Sequence, residues 1–285
     1  MIQIHFTPEG MKRTVDLENI FQNRTAFLVG GAPSLREQPI ELLEQRGVLT
    51  MAMNNAACHF RPTLWVSGDD PRCYEPQILL DPTIMKFAPY VHAQQPAVGA
   101  KYYQMPNTYF YIPEDGVPWD EYLSNRQRVP WYNNTLFVGI HILYRLGIRR
   151  IILAGSEFGF GGKGEMYAHK TELGDLERKW NLDLYNSLVR ELRMLKPVLD
   201  KAGLILMDSS KNSRISQVYE HISLEDAVRY CREGFPEEMV DPGTLPHCSK
   251  FAPESIQQKI ARWPGHQMIG GQAPRQQPQE MKRIL

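Results

Sequence analysis

What the sequence lacks narrows it first. Its 285 residues hold only four cysteines, Cys58, Cys73, Cys231 and Cys248, all far apart. With no C-x-x-C pair, neither a zinc site nor a dithiol centre is predicted, and reduced thiols are the default. Net charge is missing as well, because 32 Lys and Arg balance 32 Asp and Glu. No overall field therefore draws the chain to nucleic acid or anionic lipid, although a local basic patch is compatible with that balance. No stretch approaches the roughly 20 apolar residues that span a bilayer. The opening MIQIHFTPEG has neither the basic segment nor the apolar core of a leader. These absences predict a soluble cytoplasmic protein with no membrane span and leave room for a homo-oligomer. The length suits one large α/β domain, or one domain with an appendage, at ~150 residues per domain.

What is present is organised around residues 25–35, TAFLVGGAPSL. Ala26 to Val29 is a short apolar run of the kind that forms a buried parallel strand, and Gly30-Gly31 breaks it at once. Ser34 and Glu37 match the S-x-x-E capping box, and Pro39 opens an amphipathic stretch with Ile40, Leu42 and Leu43. Strand, glycine turn and helix entrance would aim backbone N–H groups and a positive helix end at one point, a geometry that binds phosphate. The same residues also fit an ordinary βα turn whose glycines serve packing.

Further strands end in polar residues. Val48 to Met53 runs into Asn54-Asn55, Thr63 to Ser67 stops at Gly68-Asp69-Asp70-Pro71, Ile148 to Ala154 closes with Gly155-Ser156-Glu157, and Leu204 to Met207 closes with Asp208. Between them, Thr135 to Leu146 carries apolar residues on a helical period and stops at Gly147. Leu176 to Lys201 is a long amphipathic helix that Pro197 should kink or end, and Leu224 to Cys231 is a short one. From Tyr74 to Pro130 the signal weakens, with short strands at Ile84 to Phe87 and Thr108 to Ile112. The tyrosines there suit packing more than base stacking. Together these elements predict an α/β fold, a Rossmann-like open and mostly parallel sheet with helices on both faces and ligands beyond the carboxyl ends of the strands. Residues 1–24 read as an edge addition, with one strand at Ile2 to Phe6, and 25–223 as the nucleotide-binding domain. Residues 224–285 read as a helix followed by a Gly-, Pro- and Gln-rich extension. Lys259, Arg262, Arg275, Lys282 and Arg283 make that end basic, either a solvated tail or a contact for an anionic acceptor.

Gly159, Gly161 and Gly164 satisfy G-x-G-x-x-G but run into Glu165-Met166-Tyr167-Ala168-His169 rather than opening a helix, so the dinucleotide reading is rejected. A glycine-rich flap or a plain surface loop fits better.

Three segments resemble a group of bacterial and phage glycosyltransferase-like proteins. The group includes CMP-sialic acid-dependent sialyltransferases, motility accessory factor proteins and pterin diphosphokinase-like proteins. The segments are VGGAPSL (29–35), FRPTLWVSGDDP (60–71) and NNTLFVGIHILYRLGIRRIILAGSEFGF (133–160). The resemblance implies a glycosyltransferase A-like variant of the Rossmann sheet and a nucleotide-sugar donor. Gly30, Gly31, Ala32, Pro33 and Ser34 would approach the phosphate. Asn54 and Asp70 would hold the ribose or base, with Asn134 and Thr135 beside the donor. Tyr167 matches a tyrosine that stabilises the departing phosphate. The sialyltransferase histidine base has no counterpart among Trp180 to Tyr185, so His169 or Glu157 would take the acceptor proton. The acceptor would be a glycan, a protein or a hydroxymethylated base in DNA. The pterin branch implies an alternative, an Mg²⁺-dependent diphosphate transfer from ATP to a small alcohol. A catalytically inactive nucleotide-binding module is the third reading. Asp69-Asp70 could serve Mg²⁺, but neighbouring side chains on a strand point to opposite faces, and one carboxylate on a ribose hydroxyl fits equally, so metal dependence stays open.

Overall fold

A computed structural model describes residues 2–7, 9–124, 127–159, 168 and 175–232. In chain order, β1 (Ile2–Phe6) and β2 (Lys12–Asp16) form an antiparallel hairpin. β3 (Thr25–Val29), β4 (Leu49–Met53), β5 (Leu64–Val66) and β6 (Met85–Pro89) follow. A small pair, β7 (Pro96–Ala97) and β8 (Ala100–Lys101), precedes β9 (Thr108–Glu114) and β10 (Arg128–Pro130). β11 (Arg150–Ala154), β12 (Ile205–Asp208) and β13 (Glu220–His221) complete the strands. The α-helices are α1 (Pro76–Leu80), α2 (Thr135–Arg145), α3 (Asp175–Lys201) and α4 (Leu224–Arg232).

Eleven strands make one sheet in the order β13-β12-β11-β3-β4-β5-β6-β9-β1-β2, with β10 beside β9. Every pairing in it is parallel except those made by β1. From β3 the chain adds β4, β5, β6 and β9 outward on one side. It then returns through α2 to lay β11 on the other side of β3. The winding therefore reverses between β3 and β11, and at such a switch point the onward connections leave in opposite directions and open a crevice at the carboxyl edge.

β3 and β4 are buried over all five residues because both faces of the sheet are covered. On one face, Leu136, Ile140 and Leu143 of α2 and Leu188, Leu192 and Leu195 of α3 share a core with Leu28, Met51 and Leu153. On the other, Phe27, Val29, Ala52 and Trp65 meet short elements, two 3₁₀ turns at Pro33–Glu37 and Ile40–Glu44, together with α1 and α4. Alternation along each strand sends neighbouring side chains to opposite cores. The fold is thus an α/β, Rossmann-like open sheet with helices on both faces.

Several expectations change in detail. The S-x-x-E box does not form: Ala32 precedes the first 3₁₀ turn without a side-chain cap, because Ser34 is bonded elsewhere. Pro197 lies inside α3, which continues to Lys201. The edge addition holds a second strand, β2, whose KRTVD sequence has no apolar alternation because it is an exposed, charged edge. α4, the helix read as opening the C-terminal extension, buries Leu224, Ala227, Val228 and Cys231 in the same core as β3. The basic residues beyond it lie outside the described residues.

Candidate functional site

The switch point brings two glycine turns together. The Gly30 N–H donates to Ala154 O at 2.8 Å, and the Ala32 N–H to Gly155 O at 2.9 Å. A Cβ on Gly30 would stand 2.4 Å from Gly155 O, and one on Gly155 would stand 2.4 Å from Gly30 O. Gly155 also holds φ +57°, the left-handed region that side chains disfavour. No side chain fits between these strand ends, so glycine is required on both.

Glu157 closes the crevice. It is 5% exposed. One carboxylate oxygen accepts the Ser34 N–H at 2.7 Å, the other the Ser34 hydroxyl at 2.6 Å. Burial pushes its pKa up, opposed by those two hydrogen bonds and assisted by the nearby Asp208 carboxylate. Asp208 is itself buried and tied down by the Ser210 N–H and the Ser216 hydroxyl. Glu157 thus sits where an anion bound by the turn would sit. The turn is consequently not the open cradle of N–H groups expected of it. Gly30, Ala32 and Ser34 spend their amides internally and Pro33 has none, which leaves the Gly31 N–H as the turn amide without a hydrogen bond among the described residues. Space is open there, since a Cβ on Gly31 would meet nothing nearer than Ala56 N at 3.9 Å.

From Gly31 the polar edge continues to the ends of β4 and β5. Asn54, at φ +51°, opens a 3₁₀ turn after β4. Its amide lies 3.5 Å from the Thr135 hydroxyl, and its carbonyl accepts the Trp65 indole N–H at 2.7 Å. The buried Tyr74 hydroxyl accepts the Asp69 N–H at 3.0 Å and stands 3.2 Å from Asn54 Oδ1 and 3.5 Å from Asp69 Oδ2. Gly68 meets Trp131: a Cβ on Gly68 would come within 2.1 Å of the indole ring and 3.2 Å of Thr135 Oγ1. Asn54, Tyr74, Asp69 and Thr135 form one polar network, and the Gly31 end of the turn lies beside the 3₁₀ turn that Asn54 opens, facing Ala56.

The remaining predicted residues are placed differently. Asn134 caps α2, its side chain accepting the Leu136 N–H at 2.8 Å. Asp70 is held by Arg72 through the backbone N–H at 2.9 Å and the guanidinium at 2.7 and 2.9 Å, and that pairing lowers its pKa. Asp69 and Asp70 therefore have different partners, and among the described residues no group of three His, Cys, Asp or Glu side chains could hold a metal ion. Tyr167 and His169 lie outside the described residues. Ala168, between them in sequence, is buried, and its N–H donates to Gly31 O at 2.8 Å while its carbonyl accepts from Arg36. This contact ties residue 168 to the turn.

Sequence reasoning missed Gly68 and Tyr74, which flank the Asp69-Asp70 strand end, and Trp131, which is remote from it in sequence and near it only in space. It also missed His92, whose imidazole, after β6, acts electrostatically on both Asp69 and Asp70. Tyr185 of α3, in the stretch matched to the missing histidine, packs its ring 5.6 Å from that of Phe158, beside Glu157. The signal that could have pointed to Gly68 is a glycine between a buried strand and paired carboxylates.

A cavity of about 500 Å³ lies elsewhere, around the end of β1 and the start of β9, lined by His5, Phe6, Tyr103 and Tyr109 among others. It faces the amino-terminal end of the parallel sheet. Ligands of open α/β sheets bind at the carboxyl edge, and the polar groups converge there, so the edge is taken as the site.

The sequence matches no protein-family model and no curated protein. A solved structure similar to this chain is that of the sialyltransferase CstII from Campylobacter jejuni, in complex with the substrate analogue cytidine-5'-monophosphate. It shares 14% identity and a TM-score of 0.41 over 70% of this chain and 85% of that one. The likeness is loose, and the fold assignment rests on the strand order above.

Proposed function

We propose that the protein transfers a glycosyl group from a nucleotide-sugar donor to an acceptor hydroxyl on a glycan, a protein or a hydroxymethylated DNA base. The observation that carries this reading is the carboxyl edge at the switch point, where the Gly30–Ser34 turn lies beside the polar network of Asn54, Tyr74, Asp69 and Thr135. Such an edge suits a ligand with a phosphate, a hydroxylated ring and a base. The Gly31 N–H meets the phosphate, and Asn54, Thr135 and Asp69 hold the ribose and base, with Asp70 and Asn134 bracing them.

In the reaction, the bond from the anomeric carbon to the phosphate oxygen breaks and the acceptor oxygen bonds to that carbon. The acceptor proton passes to His169, and Tyr167 donates a hydrogen bond to the departing phosphate, stabilising charge where it develops. Glu157, with both oxygens given to Ser34, holds the turn rather than taking the proton.

Thermal shifts with CMP, UDP, GDP and ATP, each with and without Mg²⁺, test the reading. A ligand at 100 times its Kd adds about 2.7 kcal/mol, a rise of several degrees. A shift by a nucleoside mono- or diphosphate supports glycosyl transfer. A shift by ATP alone and only with Mg²⁺ supports the diphosphate reading instead, and no shift removes both. His169→Ala should abolish transfer and spare nucleotide binding; full turnover in that variant overturns the assignment of the base.

A further inference from the structure

The end of β5 carries a feature that no polar network requires. Gly68 has no side chain, and Trp131, from the connection between β10 and α2, occupies the vacated space: a Cβ at Gly68 would fall 2.1 Å from Cη2 and 2.6 Å from Cζ3 of the indole. The ring is therefore laid against the strand backbone by its six-membered edge, beside the Thr135 hydroxyl. Trp131 remains half-buried rather than sealed in the core. Its neighbours are held tightly. The Trp131 N–H donates to Glu114 O at 3.0 Å, and its carbonyl accepts the Asn134 N–H at 3.1 Å. The two residues after it, Tyr132 and Asn133, both take positive φ, +42° and +50°. Tyr132 is fixed in that conformation by stacking on Trp119 at 4.1 Å between ring centres and 8° between planes, with its hydroxyl bonded to Val117 O. Two consecutive non-glycine residues in the left-handed region persist only where the surroundings over-determine them.

The result is a rigid indole at the mouth of the network. Trp65 is sealed in one of the two cores, whereas Trp131 packs on the margin of the other and keeps part of its surface exposed. The ring lies near Thr135, whose hydroxyl is 3.5 Å from the Asn54 amide, and these polar groups could meet the edge of a planar ligand while the indole meets its face. That pairing of a stacking face with amide and hydroxyl groups fits a heterocyclic base. We propose that Trp131, seated on Gly68, is the stacking platform for the base of the bound nucleotide. The proposal rests on the nucleotide reading above and specifies the position of the base within it.

Calorimetric titration with CMP, UMP, GMP and AMP, and with ribose 5-phosphate as a base-free probe, tests the assignment. Trp131→Ala should weaken the best-bound nucleotide about 10- to 100-fold, the loss of one base stack, and leave ribose 5-phosphate unchanged. Trp131→Phe keeps a ring and should retain affinity within a few-fold, but should lose the tryptophan fluorescence quench that the nucleotide causes in the wild type. A native-melting Trp131→Ala protein that binds as the wild type does overturns the platform and leaves the nucleotide reading standing. Should Trp131→Ala fail to fold, Trp131→Phe decides: an undiminished quench in that variant overturns the platform. A wild type that binds none of the four nucleotides overturns both.

Discussion

Two carboxylates are buried at opposite edges of the sheet, and their surroundings differ in kind. Asp81, 2% exposed, lies near the amino-terminal end of β6. It accepts the Arg61 guanidinium at 2.8 and 3.2 Å and the Thr83 N–H at 2.9 Å. The same loop satisfies the fully buried Lys86 through the carbonyls of Asp81 and Ile84 at 2.6 and 2.9 Å. Among the described residues, Glu157, at the carboxyl edge, is held by Ser34 with no cation bonded, and burial, with Asp208 nearby, raises its pKa. A buried charge is thus no marker of a site. The Asp81 cluster neutralises itself and closes a loop, whereas Glu157 leaves a polar crevice whose field is not cancelled locally.

Four substitutions can break this contrast. Asp81→Ala should have the largest effect, about 3–5 kcal/mol of lost stability in urea unfolding, because it leaves the Arg61 charge buried without its carboxylate. Nucleotide affinity in the surviving folded fraction should be unchanged, and a loss of binding would mean that the Asp81 cluster does communicate with the edge.

Gly155→Ala comes next. Its Cβ meets the Gly30 carbonyl at 2.4 Å from a backbone already at φ +57°, so about 2–4 kcal/mol should be lost, together with any nucleotide binding. Near-native melting would show that the two strand ends can separate.

Lys86 supplies a pH test. Burial pulls its pKa down from 10.5 to about 7, so over that interval the unfolded chain binds more protons than the folded one. Stability from this group rises with pH and is lost as pH falls towards about 7. Wild type minus Lys86→Met should therefore become more favourable to the wild type by on the order of 2 kcal/mol between about pH 7 and about pH 9. Taking the difference removes the opposing contributions of Cys58 and Cys231, whose pKa values burial raises to about 11 and about 12. A flat difference would place the Lys86 ammonium in contact with water.

The smallest effect on stability sharpens the contrast most. Gly31→Ala meets nothing nearer than 3.9 Å and needs no unusual φ, so melting should move by less than about 0.5 kcal/mol. Nucleotide affinity should nevertheless fall, because the methyl group occupies the space beside the Gly31 N–H, the turn amide without a hydrogen bond among the described residues. Unchanged calorimetric affinity would place the phosphate elsewhere.

Much of the fold was legible from the chain. Apolar runs at Ala26–Val29, Val48–Met53 and Ile148–Ala154 announced the central strands, because a strand covered on both faces has no polar positions to obscure it. The 3.6-residue period of Thr135–Leu146 announced α2 for the corresponding reason on a helix. The edges were less legible. β2 is an exposed strand of charged residues, and β10 is three residues long, so neither carries a period that a sequence window can detect. The turn after β3 read as a capped helix entrance, yet Ser34 turned to a carboxylate 123 positions away. Local pattern cannot anticipate a competitor supplied by another strand.

What the sequence alone determined, then, is the set of strands and helices, their alternation, and the polar residues at the strand ends, since these follow from local periodicity and from the need to bury apolar faces. Only the tertiary structure decided that β11 lies against β3, that Glu157 accepts the Ser34 N–H and hydroxyl, and that Trp131 fills the space Gly68 leaves. Those are contacts between residues far apart in the chain, and their geometry depends on strand order and close packing.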